Sequence, residues 1–103
     1  MMAVPSPTRG SRAKTRSTPY VDVAVVGLGA IGAAHVDAAL RAPSTRLAAV
    51  ADVDAARARE IAAKAGCPAF DSLPSLLEGA DVDLVVVATP DALHVEVVQQ
   101  AAA

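Results

Sequence analysis

Residues 21–32 read VDVAVVGLGAIG, in which a run of small and β-branched apolar residues leads directly into three glycines at G-x-G-x-x-G spacing. The near-continuous apolar run is typical of a strand buried on both faces, as in a parallel sheet. A helix is predicted to follow over residues 30–42, and Pro43 would end it. The inward face of this helix is predicted to carry Ile31, Ala34 and Ala38.

The three glycines of this turn have different expected roles. Gly27 permits the tight turn out of the strand, Gly29 lets the backbone approach a pyrophosphate, and Gly32 lets the helix pack closely against the strand. The N–H groups at the start of the helix, with the positive end of its dipole, would bind the pyrophosphate. The predicted phosphate-binding residues are therefore Gly27, Leu28, Gly29, Ala30, Ile31 and Gly32.

An acid stands where a dinucleotide site needs one. Residues 46–51, RLAAVA, predict a second strand, and Asp52 follows it twenty residues after Gly32. An acid at this place can accept hydrogen bonds from the hydroxyls of the adenosine ribose. A glycine-rich turn without a ligand is the alternative interpretation, but strand, helix and acid in one register favour a dinucleotide.

The same acid favours NAD over NADP. The 2′-phosphate of NADP would lie about 4 Å from the Asp52 carboxylate, and two negative charges at that distance repel by a few kcal/mol near a protein surface. Asp54 adds a second acid, whereas the nearest cation in the sequence, Arg57, stands a turn into the next helix. We therefore expect NAD as the cofactor, with NADP the less favoured alternative.

The rest of the chain alternates helices and strands. A second helix is predicted over residues 55–65, with Asp54 and Gly66 as its caps and Glu60 and Lys64 paired on its outer face. Its inward face is predicted to carry Ala58, Ile61, Ala62 and Ala65. The remaining predicted elements are a brief strand over 68–70, a short helix over 72–78, a strand over 84–88, and a final helix that follows the turn at Thr89, Pro90 and Asp91 and runs to Ala103.

This order of elements predicts an α/β fold with a Rossmann-type doubly wound parallel sheet, truncated after about four strands. The final predicted helix has no stop signal, so the sequence is expected to be part of a longer one. The strand over 84–88 would then expose an apolar edge. Such an edge favours pairing with another copy of the chain, and so a homo-oligomer.

Composition divides the chain in two. Residues 1–19 are rich in Pro, Ser and Thr and carry four basic residues and no acid, which predicts a disordered tail or an early start codon, with an organelle-targeting peptide as the alternative. Residues 20–103 would form one incomplete dinucleotide-binding domain. This part carries five basic residues against eleven acids, so nucleic-acid binding is not expected.

Cysteine content and hydropathy argue against other classes. Cys67 is the only cysteine, which rules out an internal disulfide, fits a reducing cytoplasm and predicts a thiol that packs as a small apolar group. One cysteine and two histidines are too few for a zinc site, so no metal is expected. The sequence has no apolar stretch of about 18 residues, so no membrane span is expected.

Three stretches, VAVVGLGAIGAAHVDAAL, AAVADVD and DLVVVATPDALHVEVVQQA, resemble the N-terminal domain of the glucose–fructose oxidoreductase and inositol dehydrogenase family (Gfo/Idh/MocA) over about residues 20–103. The glycine turn followed by His35, the acid after the second strand, and a Thr-Pro-x-x-x-His element all match. In the family this last element lies beside the nicotinamide end of the cofactor, so the resemblance implies that Thr89, Pro90 and His94 contact it. We expect His35 to pack on its helix and not to act in catalysis.

The resemblance implies an oxidoreductase that transfers a hydride between NAD(P) and a sugar, polyol or related substrate. Family members carry a catalytic lysine in a Glu-Lys-Pro motif and a large C-terminal substrate domain. The lysines of this chain are Lys14 and Lys64, neither in such a motif, and the substrate domain is absent from the sequence. No catalytic residue is therefore predicted, and the chain alone is expected to be inactive and to bind substrate only with that domain.

Two other interpretations stay open. One is a non-catalytic nucleotide-binding module, or the product of a truncated gene. The other is an S-adenosylmethionine methyltransferase, which also uses a glycine-rich turn and an acid after the second strand. The third glycine, Gly32, and the turn at Thr89 and Pro90 favour a dinucleotide.

Overall fold

The computed structural model describes residues 20–90 and 92–98. Five strands form one sheet in the order β3-β2-β1-β4-β5, and three helices connect the first four strands. The pairings among β1, β2, β3 and β4 are parallel, whereas β4 and β5 are antiparallel. In chain order the elements are β1 (Val21–Val26), α1 (Ala30–Arg41), β2 (Thr45–Ala51), α2 (Ala55–Ala65), β3 (Ala69–Phe70), α3 (Leu73–Gly79), β4 (Leu84–Thr89) and β5 (Ala92–Val97).

Strand β1 lies at the centre of the sheet, which explains its near-continuous apolar sequence. Val25 pairs with Val50 of β2 on one side and with Val86 of β4 on the other. Alternate residues point to opposite faces, so Val25 joins the core beneath α1 and α2 while Ala24 joins the core beneath α3. The α/β class, and the parallel order over the first four strands, are confirmed.

The inward face predicted for α1 is wrong, because Ile31, Ala34 and Ala38 are all exposed. The buried positions are Gly32, Val36 and Ala39, whereas Ile31 is 54% exposed. A Cβ at position 32 would stand 1.7 Å from the carbonyl oxygen of Gly27. The helix is therefore rotated so that Gly32 faces the turn, and the large side chain of Ile31 is turned outward.

The predicted caps and faces of α2 are confirmed. The Asp54 carboxylate accepts the Arg57 N–H at 3.1 Å, and Gly66 ends the helix with φ of 77° in the left-handed region. Glu60 and Lys64 form an i,i+4 ion pair at 3.8 Å on the outer face. The inward residues include Ala58, Ile61, Ala62 and Ala65, as predicted.

The predicted final helix is wrong over Ala92–Val97, because these residues form β5. The strand pairs along the whole of β4, from Ala92 opposite Thr89 to Val97 opposite Leu84. The β-branched Val95 and the alternation of apolar and polar residues over 93–96 suit a strand, and a full ladder with β4 supplies its hydrogen bonds. The β4 edge that the sequence predicted to be open is thus covered. Residues 1–19, Asp91 and the part of the predicted helix from 99 onward lie outside the described residues.

An ion pair holds the amino ends of β1 and β2 together. Asp22 is 2% exposed, and its carboxylate accepts hydrogen bonds from Arg46 Nε at 2.7 Å and Nη2 at 3.3 Å. The Asp22 N–H donates to the Asp83 carboxylate at 2.9 Å. The Arg46 guanidinium also lies 4.5 Å from the ring centroid of Tyr20 and donates to its hydroxyl. The hydrogen bond to Asp22 raises the pKa of Arg46, so the guanidinium stays charged.

Candidate functional site

A groove of ≈ 470 Å³ lies at the carboxyl ends of β1, β2 and β4. Its position follows from the strand order, because the connection from β1 runs to β2 on one side while β4 lies on the other. Parallel α/β sheets bind ligands at such a point of reversal. The groove is lined by residues 27–31, 52–54, 57 and 88–90.

Two glycines of the turn are required by close backbone contacts. Gly27 has φ of 94°, and a Cβ on it would stand 2.6 Å from the carbonyl oxygen of Ala88. The Gly27 N–H also donates to the carbonyl of Ala51 at 2.9 Å, which ties the turn to β2. Gly32 faces the Gly27 carbonyl, as described above. Both positions are therefore closed to any side chain.

Gly29 differs from both. A Cβ on Gly29 would meet nothing within 4 Å, and its φ of −72° is open to any residue. The fold alone therefore does not require a glycine at position 29. Gly29 is also the N-cap of α1, and no side chain of the described residues caps this helix. The first-turn N–H groups of a helix have no partner within the helix, so the space above Gly29 suits an anionic ligand.

Asp52 contacts the glycine turn directly, which sequence reasoning missed. Its Oδ2 accepts the Leu28 N–H at 2.7 Å, and its Oδ1 accepts the Asp54 N–H at 2.8 Å. Each carboxylate oxygen can accept further hydrogen bonds, so a ribose hydroxyl can still bind. The Asp52 N–H donates to the carbonyl of Phe70, which fixes the end of β2 against β3.

Arg57 reaches across from α2 to the same turn. Its Nη1 donates to the carbonyl of Leu28 at 3.3 Å, and its Nε lies 3.9 Å from an oxygen of Asp54. The side chain is 48% exposed and lines the groove. The sequence shows Arg57 a few residues after Asp52. Its contact with the Leu28 carbonyl, 29 residues earlier in the chain, has no local sequence signal.

The structure brings most of the sequence-predicted site residues together. Thr89 and Pro90 line the groove beside the glycine turn. His94 is not among the lining residues; it lies on β5 opposite Val87, with its Nε2 3.6 Å from Glu96. The cofactor contact of His94 stays a prediction.

Within residues 20–90 and 92–98, no three His, Cys, Asp or Glu side chains are grouped so that they could hold a metal ion. None of the helices in this part of the chain has the length and apolar content needed to cross a membrane.

A sheet of this order, with an open glycine turn at a helix start and an acid after the second strand, defines a dinucleotide-binding domain. The family model described as "Oxidoreductase family, NAD-binding Rossmann fold" matches residues 21–103. The chain belongs to this family, Gfo/Idh/MocA, and carries its NAD-binding fold.

Individual relatives support the same family assignment. An inositol 2-dehydrogenase from Rubrobacter xylanophilus is 38% identical over 79 residues, which cover 76% of this chain and 23% of that protein. The dehydrogenase WlbA from Bordetella pertussis, solved with NADH and UDP-GlcNAcA, is 26% identical with a TM-score of 0.64 over 69% of this chain and 22% of its own. A 3-ketoreductase from Actinomadura kijaniata, solved with NADP, is 30% identical with a TM-score of 0.63 over 69% and 23%.

Proposed function

We propose that residues 20–103 are the cofactor-binding portion of an oxidoreductase that transfers a hydride between NAD and a sugar, a polyol or a related carbinol. The observation that carries this proposal is Gly29. A glycine stands there although the fold leaves room for a side chain, and the room lies at the uncapped start of α1. A pyrophosphate that approaches the backbone accounts for the glycine.

The residues that line the groove would contact different parts of the cofactor. The first-turn N–H groups after Gly29 bind the pyrophosphate, and Asp52 accepts from the hydroxyls of the adenosine ribose. Thr89 and Pro90, at the end of β4, would border the nicotinamide. The bound nicotinamide supplies the hydride acceptor, and the protein supplies its orientation.

The substrate class rests on the relatives, whose names refer to inositol and to nucleotide sugars. This chain spans 23% of the Rubrobacter protein, so we assign substrate binding to residues outside this stretch of sequence. We place the protein in the cytoplasm, because a lone half-buried thiol suits a reducing compartment.

The proposal is tested by titrating the purified chain with NADH and following the fluorescence of the cofactor. We expect saturable binding by the wild type and loss of binding in Gly29→Asp, whose carboxylate would occupy the pyrophosphate position. Because a Cβ at position 29 has no neighbour within 4 Å, we expect the variant to keep the circular dichroism spectrum of the wild type. Equal binding by both proteins would exclude this turn as the cofactor site, and S-adenosylmethionine is titrated in parallel as the competing ligand.

A further inference from the structure

Within the glycine turn, Leu28 is fixed both by burial of its side chain and by hydrogen bonds to its backbone N–H and carbonyl groups. Its side chain is 1% exposed, its N–H donates to Asp52 at 2.7 Å, and its carbonyl accepts from Arg57 at 3.3 Å. Asp52 lies in the connection between β2 and α2, and Arg57 lies in the first turn of α2. The peptide groups on both sides of Leu28 are thus fixed by one short segment that lies 24 to 29 residues later in the chain.

We propose that Asp52, assisted by Arg57, is a positioning residue for the glycine turn, and that it supports pyrophosphate binding independently of any contact with the ribose. The proposal rests on the proposed function, because it concerns how the same turn receives a dinucleotide. The Leu28 peptide directly precedes Gly29, the N-cap of α1. The orientation of this peptide therefore sets the direction of the first-turn N–H groups of α1, which would face the pyrophosphate.

The hydrogen bond between the Leu28 N–H and Asp52 is strong enough to affect the orientation of the glycine turn. A hydrogen bond from an N–H to a carboxylate is short and charge-assisted, and such bonds stabilise more than neutral ones. Without it, the turn would sample other orientations, and apparent affinity falls in proportion to the fraction of the protein in the competent one. The Arg57 contact is longer and half-exposed, so we expect a smaller effect from it.

Electrostatics alone predicts the opposite result. Asp52 carries a negative charge near the expected position of an anionic pyrophosphate, so removal of that charge should strengthen the binding of a phosphate ligand. The positioning role predicts weaker binding. The two explanations differ in sign, and this makes the test sharp.

The probe is 2′,3′-dideoxyadenosine 5′-diphosphate, which keeps the pyrophosphate and lacks both ribose hydroxyls. We expect Asp52→Ala to weaken binding of this probe about tenfold, the loss of one hydrogen bond to a charged group. Asp52→Asn keeps an oxygen acceptor for the Leu28 N–H and should bind within about threefold of wild type. Arg57→Ala should weaken binding about threefold, and Arg59→Ala, an exposed arginine of the same helix, should leave it unchanged.

Amide hydrogen exchange supplies a reading that needs no ligand. In Asp52→Ala the Leu28 N–H should exchange at least tenfold faster, while the N–H of Val25 in the centre of the sheet keeps its rate. Acceleration of both amides together would mean general loss of stability and would overturn the positioning role. The positioning role would also be overturned if Asp52→Ala lost binding of NAD but bound the dideoxy probe as tightly as the wild type or more tightly. Asp52 would then contact the ribose only. If the wild type binds neither NAD nor the probe, the proposed function fails, and the exchange rates still decide the contact.

Discussion

Asp52 has lone pairs for two kinds of donor, the backbone of the turn and, in the proposed complex, the ribose of the cofactor. Its two oxygens already accept the N–H groups of Leu28 and Asp54. The carboxylate is therefore held in place before a ligand arrives, and in the proposed complex its charge would lie where the 2′-phosphate of NADP is expected. This arrangement disfavours NADP on electrostatic grounds.

We predict that the wild-type chain binds NAD more tightly than NADP and that Asp52→Ser moves the ratio of the two dissociation constants toward NADP by about tenfold, as expected when a repulsion of about 1.4 kcal/mol is removed. Affinity for both cofactors should fall, because the serine hydroxyl cannot span to the Leu28 N–H. Titration of both cofactors into both proteins measures the ratio. An unchanged ratio would mean that Asp52 is not next to the 2′ position.

Cys67 follows Gly66 and packs against the core beneath α2. Burial raises the pKa of its thiol, because the thiolate is poorly solvated there. We predict that iodoacetamide modifies Cys67 more slowly at pH 7.5 than it modifies a peptide thiol, and that the rate still rises with pH after the peptide thiol has levelled off. By linkage, the folded state loses stability as the pH rises above the pKa of the unfolded thiol. A rate equal to that of the peptide thiol would contradict the burial.

At the scale of elements, an ion pair joins two neighbouring strands of the sheet. The amino ends of β1 and β2 are joined by Asp22 and Arg46. We predict that Arg46→Met lowers the free energy of unfolding by about 1–3 kcal/mol, below the range for a fully buried pair because the Arg46 side chain is 54% exposed. The matched control is Arg41→Met, which removes an exposed i,i+4 pair with Asp37 and should cost at most about 0.5 kcal/mol. Urea unfolding measures both, and equal effects would contradict a structural role for Arg46.

For a residue of β5, the sign of the change in stability on substitution by alanine tells a strand from a helix. Val95 is 53% exposed on a strand, so its replacement removes little buried surface. We predict that Val95→Ala lowers stability by about 0.5 kcal/mol, because valine favours strands, whereas in a helix the same change would raise it. Val95→Thr keeps a β-branched side chain and serves as the control. Thermal unfolding of the three proteins, with a nuclear Overhauser contact between Val86 and Val95, measures the outcome.

The elements also show how far the sequence leads. Strand β1, the glycine turn, β2 and both caps of α2 were predictable because their signals are local: an apolar run, fixed glycine spacing, an N-cap acid and a left-handed Gly66. The rotation of α1 was not, because it depends on the contact between Gly32 and the Gly27 carbonyl. Strand β5 did have a local signal, because residues 93–96, LHVE, alternate apolar and polar side chains at the strand period of two. The turn at Thr89, Pro90 and Asp91 favoured a helix prediction instead, and pairing with β4 shows the strand.

At the scale of the whole molecule, the candidate groove occupies one end of the sheet and the Asp22–Arg46 pair the other. The described residues that line the groove include Asp52, Asp54 and Arg57, but no lysine or histidine that could exchange a proton with a substrate. A general acid or base contributes about 10²–10⁴-fold, and substrate positioning contributes more. We therefore expect this groove to hold a cofactor without supplying the proton-transfer group.

We therefore predict that the 103-residue chain binds NAD(H) without turning over inositol or other polyols. The measurement is NADH production, followed by its near-ultraviolet absorbance, with a panel of such substrates, and Gly29→Asp gives the background. Turnover above that background would show that the chain contains a catalytic group outside the lining of the groove.

The placement of Tyr20 has a practical consequence for such measurements. It is the only tyrosine, the chain has no tryptophan, and its ring lies under Arg46 just before β1, a full strand length from the glycine turn. Ultraviolet emission from the protein is therefore weak and comes from one chromophore remote from the ligand. Tyrosine emission can report melting of the sheet while the longer-wavelength emission of NADH reports occupancy, so that one cuvette separates the two signals without a label.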